Sequence, residues 1–305
     1  MRDQSTLNPA SHAADKIADL WWILFVVSVV VFTVVVALLL VGTLRGRGGG
    51  PPDRRVSRRG TRLVAIAGVV VPAVVVISLF FASVATLPAV APVGKNARMT
   101  IDVVGRQWFW DVYYRGGKVR TSNEIHIPAG VPVEVRVHSE DVIHSLWVPR
   151  LNRKIDLIPG QTNAVVFDAD KPGTYRGQCA EFCGVEHGNM ALLVIAEPPA
   201  DFARWLDHEA QPTPTGLGGS ATFLNSGCGD CHLLRDTPAQ SRYGPDLTHF
   251  GERQTIAAGT MTNTPEHLAD WLRDPQAVKP GNKMPGLGLP EPEIQALVRY
   301  LEGLK

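Results

Sequence analysis

Cys179 to Met190 reads C-A-E-F-C-G-V-E-H-G-N-M, which places two thiols four residues apart, an imidazole four further on and a thioether three beyond that. So compact a set of soft donors suits copper rather than calcium or magnesium, which take hard oxygen ligands. Cys228-Gly229-Asp230-Cys231-His232 follows about fifty residues later and has the spacing of a c-type heme attachment site, with thioether bonds from Cys228 and Cys231 and His232 as proximal iron ligand. The chain of 305 residues has 4 cysteines, all in these two clusters, so none remains for a structural disulfide. Two one-electron centres on one chain imply a relay for electrons.

Spacing alone leaves the Cys179/Cys183 pair three readings: a dithiol/disulfide couple, a zinc site, or thiolates bridging two coppers. Zinc wants four donors of the Cys/His kind and no thioether, whereas Met190 favours copper. A lone methionine ahead of an apolar strand is ordinarily core, so its weight here comes from the pattern around it.

These residues need a scaffold, and the chain begins with a membrane anchor. Leu20 to Val41 is a run of 22 residues without a charge, long enough as a helix to span roughly 33 Å at about 1.5 Å per residue. Leu63 to Leu87 is a second uncharged run, and its Pro72 is tolerable where neighbouring groups satisfy the freed carbonyl. The leader, residues 1–19, carries Asp3, Asp15 and Asp19 beside Arg2 and Lys16, which argues against a cleaved signal peptide. Between the runs, residues 42–62 hold Arg45, Arg47, Arg54, Arg55, Arg58, Arg59 and Arg62 against Asp53, the mark of a cytoplasmic loop. The same loop is compatible with acidic lipid headgroups. Both termini and everything after residue 87 are then expected on the outer face of a bacterial cell membrane. The formal net charge of +1 gives no reason to expect nucleic acid as a partner.

From Met99 the pattern changes to short β-type runs at Met99–Val104, Trp108–Tyr114, Glu124–Ile127, Pro132–Val137, Ala164–Phe167 and Ala191–Ile195, separated by Gly/Pro turns. A small β-sandwich or barrel over residues 94–197 is expected, with the cysteine loop between its last strands. Residues 198–216 read as a linker, continued by the Pro/Gly/Ser-rich run Gln211–Ser220. Residues 217–305 then read as an all-α class I cytochrome c domain, with Phe223 ahead of the heme motif, the loop Gly244-Pro-Asp-Leu247 and an amphipathic segment at Glu291–Leu304. Met284, in the turn-rich Lys279–Gly286 stretch before that last helix, is the expected distal heme ligand, since His/Met ligation raises the potential. Met261 is expected to pack in a helix or loop, and His249 and His267 are the weaker axial candidates.

Three upstream segments extend the cysteine loop: Gln107-Trp108-Phe109-Trp110, Asp141-Val-Ile-His144-Ser-Leu-Trp147-Val-Pro149 and Asp156-Leu-Ile-Pro159-Gly160. With these the chain closely resembles subunit II of the heme-copper cytochrome c oxidases, over both helices and the β-domain. The resemblance implies a cupredoxin-like fold holding a binuclear, mixed-valence copper centre. Cys179 and Cys183 would bridge both coppers, His144 and His187 would each bind one, Met190 would be a weak ligand to one and the Glu181 carbonyl to the other. An electron shared by two thiolate-bridged metals leaves geometry nearly unchanged between redox states. The resemblance also implies a magnesium ion bound partly by the Glu181 side chain where subunit I makes contact, with Asp156 at the same polar interface. It makes Trp108, Phe109 and Trp110 an electron-input patch; the alternative is sheet core, and because neighbours on a strand alternate, at least one must face outward. The usual second aromatic of that patch is Trp or Tyr, and here it is Phe109. His126 and His138 are expected to be structural.

The expectation is therefore a multidomain membrane protein: a two-helix hairpin, an all-β cupredoxin-like domain and a fused cytochrome c domain, acting as the electron-input subunit of a terminal oxidase. An upstream cytochrome c or cytochrome bc complex would reduce the heme, and subunit I would reduce oxygen to water with proton translocation. No catalytic acid, base or nucleophile is expected on this chain. One departure is that Gly60 to Pro72 lacks both the Glu and the Trp that relatives often carry there for proton uptake. The electron-input subunit of a copper-containing nitric oxide reductase is the nearest competing reading. A quinol oxidase subunit would leave the copper ligands purposeless, and a membrane-anchored copper chaperone or thiol redox protein would have no use for an attached heme.

Overall fold

The computed structural model describes residues 4–46, 58–90 and 97–305. Arg2 and Asp3 of the leader, Arg47, Asp53, Arg54 and Arg55 of the arginine-rich loop, and residues 94–96 at the start of the expected β-domain lie outside them. The chain divides into one unit of residues 15–90 and another of residues 1–14 with 91–305.

The first unit is helical. Helix α1 (His12–Gly46) is 35 residues long and contains the whole uncharged run. The second run comprises α2 (Arg58–Ala65), a π turn (Ile66–Val70) and α3 (Val71–Val90). The π turn, in which the Val71 N–H reaches the Ile66 carbonyl, comes immediately before Pro72. A wider turn there accommodates the ring that would otherwise crowd the preceding backbone. Both helices are long and apolar enough to cross a membrane. Within the apolar window of each no residue is buried, as lipid-facing helices require.

The β-domain is a sandwich of two five-stranded sheets. Its strands are β1 (Met99–Arg106), β2 (Phe109–Tyr114), β3 (Val119–Ser122), β4 (Glu124–Pro128), β5 (Val133–Ser139), β6 (His144–Trp147), β7 (Ile155–Leu157), β8 (Asn163–Phe167), β9 (Gly173–Cys179) and β10 (Ala191–Glu197). One sheet runs β3-β2-β1-β5-β8 and the other β4-β10-β9-β6-β7. The pairs β1/β5 and β4/β10 are parallel and the rest antiparallel. Strand β5 shows why the sheets face each other: Val133, Val135 and Val137 point into the core while Arg136 is exposed, the period of two that a pleated strand imposes. Strand β10 has no exposed face, because helix α4 (Pro199–Glu209) covers its outer side with Phe202 and Leu206.

That helix corrects the expected linker over 198–216. Phe202, Trp205 and Leu206 recur at helical spacing, and Trp205 stacks on His126 (3.9 Å between ring centres) and meets Tyr114 edge-on at 5.2 Å. Pro199 starts the helix rather than breaking it, its missing N–H being one that the first turn never uses.

The C-terminal domain packs α5 (Ser220–Asn225), α6 (Pro265–Arg273), α7 (Pro275–Val278) and α8 (Glu291–Glu302) around Phe223, Leu268, Leu272, Ile294, Leu297 and Leu301. It is not purely helical: β11 (Thr255–Ile256) and β12 (Met261–Thr262) form a two-stranded ribbon. Met261 therefore lies on a strand rather than in a helix or loop.

Candidate redox sites

The cysteine loop is closed at its base. Strand β9 ends at Cys179, whose N–H donates to the Met190 carbonyl at 2.8 Å, and the Ala180 N–H donates to Ser145 on β6 at 2.9 Å. Pairing of Leu146 with Cys179 sets His144 beside the loop. The side-chain donors then converge on two sulfurs. Cys179 Sγ lies 3.8 Å from Cys183 Sγ, 3.9 Å from His144 Nδ1 and 3.3 Å from the Glu181 carbonyl; Cys183 Sγ lies 3.6 Å from His187 Nδ1 and 3.9 Å from Met190 Sδ. His144, Cys179 and Cys183 are buried, and their ligand atoms lie within 4.8 Å of one another.

Protonation suits this set to a soft cation. The hydrogen bond shared by the two sulfurs lowers the pKa of the Cys179 thiol, while the same bond and burial push Cys183 up. A thiol pair of this kind binds a soft cation as thiolate, releasing protons as the metal takes their place. His144 is oriented by Asp141, whose carboxylate accepts from the ring Nε2–H at 2.8 Å and leaves the Nδ1 lone pair facing Cys179. Burial would raise the Asp141 pKa, but hydrogen bonds from His144 and from the Gln107 and Val142 amides hold it at about 2. Sequence reasoning gave Asp141 no role of its own; an acid three residues before a ligand histidine was the signal.

Gly105 on β1 is needed where it lies, because a Cβ there would sit 2.8 Å from His144 Cδ2. Gly105→Ala is expected to displace the imidazole and weaken copper affinity by about 10–100-fold, the usual cost of disturbing the groups that orient a ligand, as measured by competition with a copper chelator.

The other expected residues separate clearly. The Glu181 side chain is exposed and lies 3.9 Å from Lys154, and Asp156 accepts from Ser145 Oγ at 2.8 Å. His126 bonds Glu197 at 3.1 Å and His138 lies on β5, both away from the sulfur cluster. Trp110 leaves the expected aromatic patch: it is fully buried in the core, its ring 6.1 Å from that of His144. Trp108 sits in the turn before β2, and its indole N–H and the Gln107 side-chain amide both donate to the Cys183 carbonyl, at 3.0 and 2.8 Å.

Cys228, Cys231, His232 and Met284 line one open-mouthed cavity. Its walls include Leu247, Phe250 and Trp271, an apolar lining that fits a porphyrin. The His232 Nδ1–H donates to the Pro245 carbonyl at 2.9 Å, leaving Nε2 for a metal, and burial lowers the ring's pKa and so keeps it neutral. Burial pushes the Cys228 thiol up to about 11, the opposite direction from Cys179. Met261, His249 and His267 do not line this cavity; His249 instead donates to the Gln211 carbonyl and His267 meets the Thr262 carbonyl.

Trp108 and Phe109 of the β-domain also line the cavity. The two domains are joined around it by buried polar contacts. Asp111 pairs with Arg120 at 2.8 Å, and Arg120 Nη2 donates on to the Gly244 carbonyl at 3.1 Å. One oxygen of Glu124 accepts from the Gln254 and Thr255 amides at 2.8 and 2.9 Å, and the Ala191 N–H donates to the Ala258 carbonyl at 2.9 Å.

Glu209, at the end of α4, is buried in the same region, and burial pushes its carboxyl up to about 8. A carboxyl whose pKa is higher in the fold than in the unfolded chain contributes full stability below its ordinary value of 4.5, and that stability is lost as pH rises through about 8. Glu209→Gln is expected to remove this dependence and to stabilise the protein above that pH by a few kcal/mol, read as thermal unfolding of the parent and variant across the range.

Residues 112–197 match the family described as "Cytochrome C oxidase subunit II, periplasmic domain", and residues 218–305 match "Cytochrome c". Three bacterial proteins named cytochrome c oxidase subunit 2 are similar to the chain. That of Alkalihalophilus pseudofirmus is 38% identical over 70% of this chain and 63% of its own length. That of Bacillus sp. strain PS3 is 34% identical over 81% and 75%, and that of Bacillus subtilis strain 168 is 30% identical over 99% and 92%.

Proposed function

Because the chain belongs to the cytochrome c oxidase subunit II family and carries a cytochrome c domain behind its β-domain, we propose that it takes electrons into a terminal oxidase through a covalent heme and a binuclear copper centre. The β-domain binds copper, the C-terminal domain binds heme, and the chain is part of a heme-copper oxidase complex with subunit I. Both groups supply one-electron transfer when bound.

The observation that carries this reading is the convergence on two sulfurs of every expected donor, next to a cavity walled by the same Trp108 that holds the Cys183 carbonyl. Cys179 and Cys183 would bridge the coppers, with His144 and His187 as terminal ligands and Met190 and the Glu181 carbonyl as weaker ones. Asp141 keeps His144 in the tautomer that offers Nδ1. Cys228 and Cys231 would form the thioether bonds, with His232 and Met284 as axial ligands. Trp108 and Phe109, with Trp110 withdrawn into the core, form the input patch, and the patch faces the chain's own heme cavity.

Arg45, Arg58, Arg59 and Arg62 at the facing ends of the two apolar helices support a cytoplasmic connection, with both redox domains and both termini then on the outer face. The exposed Glu181 carboxylate is available for a magnesium ion at the contact with subunit I. A cytochrome c or cytochrome bc complex would supply the electrons, and subunit I would reduce oxygen with proton translocation. Co-purification tests the assignment: the chain is expected to carry with it a membrane subunit that reduces oxygen when a cytochrome donor is added, and a partner that turns over nitric oxide in preference to oxygen would overturn it.

A further inference from the structure

Lys279 carries an ammonium group on a residue only 3% exposed, a costly place for a charge that is not well hydrogen-bonded. Its Nζ donates to the Trp108 carbonyl of the β-domain at 2.9 Å and approaches the Ala257 carbonyl of its own domain at 3.5 Å. Trp108 in turn holds the Cys183 carbonyl. The segment beginning at Lys279 is itself tied together. Asn282 donates from its side chain to the Lys279 carbonyl at 2.6 Å and accepts from the Met284 amide at 2.7 Å. The Gln276 side chain accepts from the Gly281 amide and donates to the Met284 carbonyl, each at 2.9 Å. One rigid piece thus has the ammonium at one end and Met284 at the other. Between them Gly281, at φ +85, passes so close to the cysteine loop that a Cβ would lie 2.8 Å from Val185 Cγ2.

We propose that Lys279 is a positioning residue for internal electron transfer: its ammonium pins the segment bearing Met284 to the Trp108 carbonyl and so fixes the heme cavity against the Cys179/Cys183 cluster. This rests on the heme-to-copper relay proposed above. If the side chain served only to fill space, methionine would do as well or better, since it removes the cost of burying a charge.

The test uses the full-length chain with its metals and heme. Lys279→Met is expected to retain copper and heme, to weaken the methionine-to-iron absorption band and to slow reduction of copper by heme. Amide exchange at Gly281 and Met284 is expected to rise about tenfold, as loss of one charge-assisted hydrogen bond implies. Lys305→Met, at the exposed C-terminus, is expected to change none of these. Gly281→Ala drives a methyl group against Val185 and is expected to slow the same transfer from the other side of the segment; it decides the matter if Lys279→Met loses its heme. Parent-like exchange and parent-like transfer in both variants would overturn the proposal. A parent chain that holds no heme or no copper pair overturns instead the relay on which it rests.

Discussion

Cys183→Ser is expected to abolish binding of both coppers while leaving the heme attached. The Cys183 sulfur is the junction of the site, lying within 3.6–3.9 Å of His187 Nδ1, Cys179 Sγ and Met190 Sδ. A serine hydroxyl there is shorter, harder and not ionised at neutral pH, so it can neither bridge two soft cations nor hold the Cys179 thiolate in place. Disturbing a group that merely orients a ligand costs about 10–100-fold in affinity, and loss of a bridging ligand should exceed that range. Copper per chain after dialysis is the measurement. The heme absorbance serves as the internal control, because Cys228, Cys231 and His232 lie in the other domain.

Met284→Ala has the largest expected effect on the heme. Met284 lines the same cavity as His232, which the Pro245 carbonyl already fixes, and among the described residues it is the one methionine in that lining, so its loss removes the thioether that would complete the iron's coordination. The heme should stay covalently attached, lose its low-spin His/Met spectrum and fall in reduction potential, since thioether ligation raises the potential. Met261→Ala supplies the contrast. Met261 packs on β12 at the edge of the core and does not line the cavity, so its spectrum should be unchanged and its cost limited to no more than about 2 kcal/mol of stability. If Met261→Ala, and not Met284→Ala, removes the low-spin signature, the axial assignment is wrong.

Much of this architecture is legible in the sequence because the chemistry is local. The cysteine loop presents Cys179, Glu181, Cys183, His187 and Met190 within twelve residues, and the closed β9/β10 connection brings them near one another. The apolar runs before residue 90 read directly as helices for the same reason. What the sequence hides is set by partners far along the chain. Strand β7 is three residues long and exists because β6 pairs with it. Pro198-Pro199 reads as a break, yet it starts α4, whose apolar side finds Tyr114 and His126 on the sandwich. Trp110 and Phe109 are neighbours with the same local preferences, and only the register of β2 against β1 sends Trp110 inward. Lys279 gives no local signal at all, because its partner Trp108 is 171 residues away.

The proposed relay rests above all on a copper pair held by Cys179 and Cys183 and sharing one electron. Metal and heme analysis of the full-length chain, combined with electron paramagnetic resonance of the oxidised protein, tests this directly. The expected result is two coppers and one heme per chain, with hyperfine structure from one unpaired electron distributed over two copper nuclei. A hyperfine pattern from a single copper nucleus, with one copper per chain, would contradict it.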